Sequence, residues 1–399
     1  MTTVTGIQGL RGAGQFDKDH RPTNYRTAFT MLEPNGNAPL QALLAFAASE
    51  SSDDPVFNNF RDELPDRVMV VATGDATQSP TIDLTASPEN TFAIKNALVT
   101  NARTGEVMYA TADTTGTTLN VIRNIGGAPA AAPDINAGDS LFVSGYAAPE
   151  GGELGSSVTF DAVVSTNQCQ IFRTPFDYTR TLDHTYLRTG NKRTEMQIKA
   201  LKLHMSDIER AMFFGKMHTE NAGTNQETRF SGGFTNMVTG VTDLDADFNG
   251  DGSLSEDQFD QLLFDTVFAY GSKEKIVFGG ATSCRNLHIF AKNRWQPIAV
   301  EGTYGVNFIR YRTYTGDILV HLHPQFRQIP GMDSALIFID FPYLRYRYLD
   351  SSDTQLLSNR QNPGKDGTTD EFLSECGLEL LQDKVHHYVK NWNTVPATP

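Results

Sequence analysis

Residues 194–216 read TEMQIKALKLHMSDIERAMFFGK, the most regular stretch of the 399-residue chain. Ile198, Leu201, Met205, Ile208 and Met212 recur at steps of three and four, which places them on one stripe of an α-helix. Thr194 and Gln197 have the spacing of a capping box, in which each side chain satisfies an open amide of the first turn. Glu195 and Lys199 stand at i, i+4 on the outside, and Gly215 stands where a glycine cap belongs. At 1.5 Å per residue this predicts a helix of about 30 Å.

Outward from the helix the texture changes. Upstream, from Val68 to Thr166, short runs such as VMVVA, EVMYAT, LNVIR and SLFVSGYA alternate with Gly, Pro, Asp and Asn, which predicts a small antiparallel β region. NIGGAPAAAPDINAGDS (124–140) reads as a long loop of small residues. The first sixty residues look extended; PLQALLAFAAS (39–49) supports a few helical turns, and a segment this poor in core residues does not bury itself alone. Downstream, a helix is expected from Glu256 to Tyr270, a strand at KIVFGG (275–280), and a helix near Thr282–Lys292. A hairpin turns at Thr315-Gly316-Asp317, and GLELLQDKVHHYVKNW reads as a long terminal β segment. With no internal repeat and no sharp linker, the regions are expected to form one interlocked α+β fold.

Composition excludes several classes. Hydrophobic content of 39% and charged content of 20% describe a folded chain. No run of about 18 apolar residues offers a spanning helix. The N-terminus lacks the basic-then-apolar order of a signal peptide, so a protein that stays in the cytoplasm where it is made is expected. Cys169, Cys284 and Cys376 are far apart and odd in number, which argues for reduced thiols. A formal charge of -14 argues against a strongly basic nucleic-acid surface. Between Arg123 and Arg173 there is no Lys or Arg, whereas basic residues gather at 180–216. That asymmetry predicts acidic and basic faces that meet, within the chain or between copies of it.

No catalytic motif stands out: there is no G-x-S-x-G, P-loop, H-E-x-x-H or dinucleotide-binding glycine pattern. DFNGDGSLSEDQF (247–259) resembles a calcium loop, with Asp247, Asn249 and Asp251 at positions one, three and five and Gly252 at six. Position twelve is Gln258 rather than the usual bidentate glutamate. The competing reading is simpler: Ser255 and Gln258 form a capping box, and Glu256 and Asp257 favour the positive end of a helix. His321 and His323 share a strand face but lack a third ligand, and His386 and His387 point to opposite faces; both pairs read as ordinary strand histidines.

NQCQIFRTPFDYTRTL (167–182), followed by the long helix and its ending IERAMFFGK, resembles major capsid proteins of tailed bacteriophages. NARTGEVMYAT, TLNVIRNIGGAPAAAPDINAGDSLFVSGYAAPEG, TYTGDILVHLHPQF, ALIFIDFPYLRYRYL and GLELLQDKVHHYVKNW follow in matching order, from about Pro39 to Trp392. The resemblance implies a Hong Kong 97-type capsid fold. Its divisions would be an N-terminal arm over a neighbouring subunit (1–60), an extended loop with an inserted β domain (61–175), and a peripheral domain with the spine helix (176–230). An axial domain (231–340) and C-terminal strands of the peripheral domain (341–399) would complete it. It implies a non-enzymatic virion subunit that assembles in the host cytoplasm into hexamers and pentamers of an icosahedral head enclosing double-stranded DNA. The expected partners are further copies, a portal, separate scaffolding and decoration proteins, with no membrane and no cofactor. Arg180, Arg188, Lys192 and Arg193, just before the helix, are the candidate interface residues. The rival reading is a calcium-dependent binding module using Asp247, Asn249 and Asp251 of the 247–258 loop.

Overall fold

A computed structural model of the chain describes residues 39–44, 49–151, 155–185, 191–246, 250–293, 298–303 and 306–395. They form two compact units, Phe60–Val164 and the remainder, rather than the single interlocked body expected.

In the larger unit a seven-stranded sheet has the order Val241–Asp243, His387–Lys390, Leu336–Ile339, Glu274–Gly279, Asp317–Leu322, Val306–Arg312, Ile298–Thr303. Successive side chains of a strand point to opposite faces, and here both faces are covered. Val277, Ile318, Val320, Leu336, Phe338 and Val389 pack with Phe259, Leu263, Phe290 and Trp392. Phe278, Leu319, Ile337 and Ile339 pack on the other side with Ile208, Met212, Phe213 and Phe326. LIFI (336–339) is therefore buried at every position, as an unbroken apolar run in a doubly covered sheet should be.

The second sheet orders Ser49–Ser52, Leu344–Leu349, Thr368–Leu380 and Gln170–Tyr178, with Gln355–Leu357 also on the long strand Thr368–Leu380. Pro175 lies in Gln170–Tyr178, an edge strand, where a missing N–H costs no ladder bond. The long helix runs Lys192–Phe214 and packs on this sheet. Its N-cap is Asn191, whose side chain accepts from the Arg193 N–H, so the Thr194–Gln197 box is not the start: an amide residue earlier in the chain had already capped the helix. The expected stripe is only half right. Ile208 and Met212 are buried, but Ile198 is 52% exposed, and His204 and Glu209 take core positions.

The expected 256–270 helix is shorter. Glu256–Leu262 is α-helical and Leu263–Val267 is a π-turn, where the Thr266 hydroxyl donates back to the Leu262 carbonyl at 2.6 Å. The terminal β segment also divides between the two sheets, Thr368–Leu380 in one and His387–Lys390 in the other.

Part of the supposed neighbour-directed arm belongs to its own subunit. Leu40 and Leu44, from the helix Pro39–Leu44, enter the core beside the long helix, and Ser49–Ser52 pairs in parallel with Leu344–Leu349. Burial of two leucines outweighs the polar character of the rest. Residues 1–38 and 45–48 lie outside the described residues.

The smaller unit is a closed barrel. Its strands run Val68–Val70, Ser140–Tyr146, Ala97–Asn101, Val107–Ala110, Thr118–Ile122, Thr81–Asp83. A Val71–Leu84 bridge, with Ala72 N–H to Asp83 O at 2.9 Å and Thr85 N–H to Val70 O at 2.8 Å, joins the last strand to the first. Closure removes both edges, and Met69, Ile82, Val99, Met108, Leu119, Val121 and Leu141 fill the interior. A buried Arg123–Glu106 pair at 2.7 Å, with Arg123 Nη2 donating to Pro133 O at 2.5 Å, ties down the alanine-rich loop.

Candidate assembly surfaces

The NQCQ stretch that opens the matching motif is a set of amide clamps. Asn167 Nδ2 donates to Leu378 O at 2.6 Å and Gly232 O at 3.0 Å, while its Oδ1 accepts from Gly232 N–H at 2.8 Å. Gln168 Nε2 donates to His218 O and Phe230 O at 2.7 and 2.9 Å, fixing the base of the exposed hairpin His218–Glu220 to Thr228–Phe230. Gln170 accepts from Ser231 N–H at 3.1 Å. An amide both donates and accepts, so one side chain replaces several main-chain partners in a buried seam. The seam explains Gly215 as well: its φ of -56 needs no glycine, but a Cβ there would lie 2.3 Å from Ser231 O. A Cβ on Gly233 would lie 2.6 Å from Ala211 O. Gly215 thus serves close approach rather than a left-handed cap.

The basic residues before the helix meet acids of their own chain. Arg193 bonds Asp370 at 3.2 Å and sits 5.4 Å from the centre of the Tyr178 ring. Lys192 pairs with Glu195 at 2.9 Å, and the predicted Glu195–Lys199 pair is present. Arg180 reaches Asp366 at 3.2 Å, with both side chains mostly exposed. Arg188 lies outside the described residues. The basic cluster is therefore in large part neutralised within the subunit, which leaves Arg180 the most exposed of the described three.

Sequence reasoning missed the acids that complete this surface. On the long strand, Asp370, Phe372, Cys376 and Leu378 are on the helix side, and Glu371, Glu375 and Glu379 are on the other. Each buried glutamate meets arginine from a distant segment: Glu371 with Arg173 (2.6 Å) and Arg360 (3.2 Å), Glu375 with Arg229 (3.5 Å), Glu379 with Arg347 (2.7 Å). Burial works to raise the Glu371 carboxyl, but the hydrogen bonds from Arg173 and Arg360 carry it below its ordinary value. The signal was present as Glu at every fourth position of TTDEFLSECGLEL, a same-face spacing on a strand. The arginines gave no local sign.

No open catalytic group emerges among the described residues. His204 Nε2 lies 2.7 Å from Ser374 Oγ, and its Nδ1 lies 3.0 Å from Thr174 Oγ1, but His204 and Ser374 are fully buried. Burial lowers the His204 pKa, so the ring is a neutral hydrogen-bond bridge. His323 is buried against Glu209 at 2.9 Å, and His387 against Thr242 at 2.8 Å. Burial first, and Lys275 second, push the His387 pKa down to about 4.

The calcium alternative finds no support. Asp247 and Asn249 lie outside the described residues. Asp251 accepts from Ser253 N–H at 2.9 Å, and the Gln258 oxygen that would face an ion accepts from Ser255 N–H at 2.9 Å. The reciprocal capping box is present in full. Among the described residues no cluster of three His, Cys, Asp or Glu side chains is placed to hold a metal.

A family model described as SU10 major capsid protein matches residues 3–393. The major capsid protein of Pseudomonas phage PaMx41 is 24% identical over 377 residues, covering 87% of each chain. Solved structures similar in fold include the capsid of an empty GTA particle (11% identity, TM-score 0.47, 95% of this chain and 97% of that one). The capsid of Myoviridae phage XM1 is similar at 10% identity and TM-score 0.45, over 92% and 96% of the two chains.

Proposed function

The chain belongs to the SU10 major capsid protein family, and from that premise we propose that it builds an icosahedral phage head as hexamers and pentamers around double-stranded DNA. The family match over nearly the whole length carries this reading. The described surface fits it: ion pairs between remote segments, a separate barrel and a sealed serine–histidine pair suit a building block rather than a catalyst. On this reading the fold is the Hong Kong 97-type, the barrel lies inside the 61–175 extended loop, Lys192–Phe214 is the spine helix, and 231–340 is axial. Portal, scaffolding and decoration proteins are the expected partners, and assembly takes place in the host cytoplasm.

Arg180, Arg188, Lys192 and Arg193 remain the interface residues of choice, with Arg180 foremost because its partner Asp366 is as exposed as itself. An exposed pair contributes little within one subunit, so it is free to exchange partners between subunits. Electron microscopy of the purified full-length chain tests the main reading: shells are expected, and a chain that stays monomeric with and without a scaffolding partner sinks it. Arg180→Glu should reduce shell yield without lowering the melting temperature; unchanged yield removes Arg180 from the interface.

A further inference from the structure

Arginines of the larger unit lie mostly against acids of their own chain: Arg173, Arg180, Arg193, Arg229, Arg347 and Arg360 each have a carboxylate within 3.5 Å. Arg210 and Arg327 differ, for among the described residues neither makes an ion pair. Arg210, exposed on the long helix, donates instead to two neutral amides, through Nη2 to Gln328 Oε1 at 3.0 Å and through Nε to Gln325 Oε1 at 3.3 Å. Gln325 is 2% exposed and is fixed from behind, its Nε2 donating to Ser206 Oγ at 3.1 Å. The short turn Pro324–Gln328 carries both amides and the exposed Arg327. Phe326 locks that turn to the helix, its ring centre 5.2 Å from that of Phe213 and 5.9 Å from that of Phe214.

An amide oxygen orients a guanidinium without cancelling its charge, whereas a carboxylate does both. The surroundings preserve that charge. No Asp or Glu occurs in 210–216, which ends in the exposed Lys216, nor in 322–332. Of the acids one turn back on the helix, Glu209 is buried and bonded to His323 Nε2 and Leu40 N–H at 2.9 and 2.8 Å, which leaves the exposed Asp207. In a chain of net -14, oriented and uncancelled guanidinium groups on a locked surface suit a polyanion. A guanidinium fork matches phosphate oxygens, and the Gln328 amide adds a neutral donor of the kind that meets a sugar-phosphate backbone. We propose that the Arg210–Gln328–Arg327 surface meets the phosphate backbone of duplex DNA and reads no base. Repetition favours the duplex over an acidic peptide: every copy in a shell presents the same charges, and DNA carries one negative charge about every 1.7 Å of its axis. The contact rests on the shell reading, which supplies the enclosed duplex.

The test titrates a fluorescein-labelled duplex of mixed sequence with the full-length chain and follows anisotropy over a series of salt concentrations. Each phosphate contact contributes about 0.9 to the slope of log affinity against log salt. The double variant Arg210→Gln, Arg327→Gln should therefore lower the slope by about 1.8, equally on duplexes of different sequence and with an unchanged melting temperature. Arg210→Lys with Arg327→Lys keeps both charges and should keep the parent slope. An unchanged slope in the glutamine variant overturns the contact, and so does a loss seen with a poly-glutamate peptide but not with the duplex. Electron microscopy of the same preparations separates the two readings. Parent shells with an unchanged variant slope overturn the contact alone; a parent chain that forms no shells overturns both.

Discussion

Replacing Asn167 with alanine should destabilise the larger unit more than any surface change in it. Asn167 is 2% exposed, and its amide serves Leu378 O, Gly232 O and Gly232 N–H. Truncation leaves these three main-chain groups in a buried seam with no side-chain replacement. A buried polar group without its partner costs about 1–3 kcal/mol. Allowing for relaxation of one of the three, the sum is about 2–6 kcal/mol, up to half or more of a typical stability of about 5–15 kcal/mol. Urea unfolding of the full-length chain, followed by the fluorescence of Trp392 in the larger unit's core, measures it. The midpoint should fall with an unchanged slope. A loss below about 1 kcal/mol would refute the reasoning, because it would mean that the three groups find other partners and that the clamp is incidental.

Further tests bear on other parts of the molecule. Gly233→Ala puts a Cβ 2.6 Å from Ala211 O, so at least about 2 kcal/mol should be lost in the same urea assay, within the usual range for strained substitutions. Burial holds the His387 pKa at about 4, below the ordinary histidine value of about 6.5. The unfolded chain therefore binds the extra proton first, and the contribution is complete above about pH 6.5 and lost as pH falls toward 4. Between pH 7 and 5 the loss should be about 2 kcal/mol, and His387→Asn should flatten that slope in urea midpoints taken at both pH values. Asp139 is depressed well below its usual range, first by the Arg103 hydrogen bond. Its contribution is present above the unfolded value of about 3.9 and lost only below it, so the barrel should hold its near-ultraviolet dichroism to about pH 4 and Asp139→Asn should weaken that limit. Residues 60–164, expressed alone, should give dispersed amide resonances, since the barrel has a closed sheet and its own core.

The long helix was legible because its signal is local: spacing, an i, i+4 pair and a glycine within one stretch. Its cap was misread because Asn191 and Thr194 are both good capping residues and only the path of the preceding chain decides between them. Ile198 fits an apolar stripe as well as Ile208 does; what exposes it is the extent of the sheet below, which no local pattern encodes. The barrel's strands could be read from alternation, but their closure depends on Val71 meeting Leu84. The π-turn at Leu263–Val267 leaves no mark stronger than a threonine in a helix. The buried acids of the long strand were hidden for the same reason throughout: Glu371, Glu375 and Glu379 are kept by arginines at 173, 229, 347 and 360, and charge pairing at that separation has no sequence period.

The seven-stranded sheet imposes an order of events on synthesis. Its strand His387–Lys390 lies between Val241–Asp243 and Leu336–Ile339, so the second strand in the sheet is made after all the others of that sheet. Until it arrives, Leu336 and Phe338 lack Val389 and Trp392 on one face, and the earlier strands wait with an open edge. The barrel has every strand it needs by Tyr146. A nascent chain thus carries a finished small unit ahead of an unfinished large one for more than two hundred residues of elongation. Long-range pairing of this kind is slow and exposed to association. In a cell making many copies at once, the hazard lies in that interval, and truncation before His387 would prolong it without end.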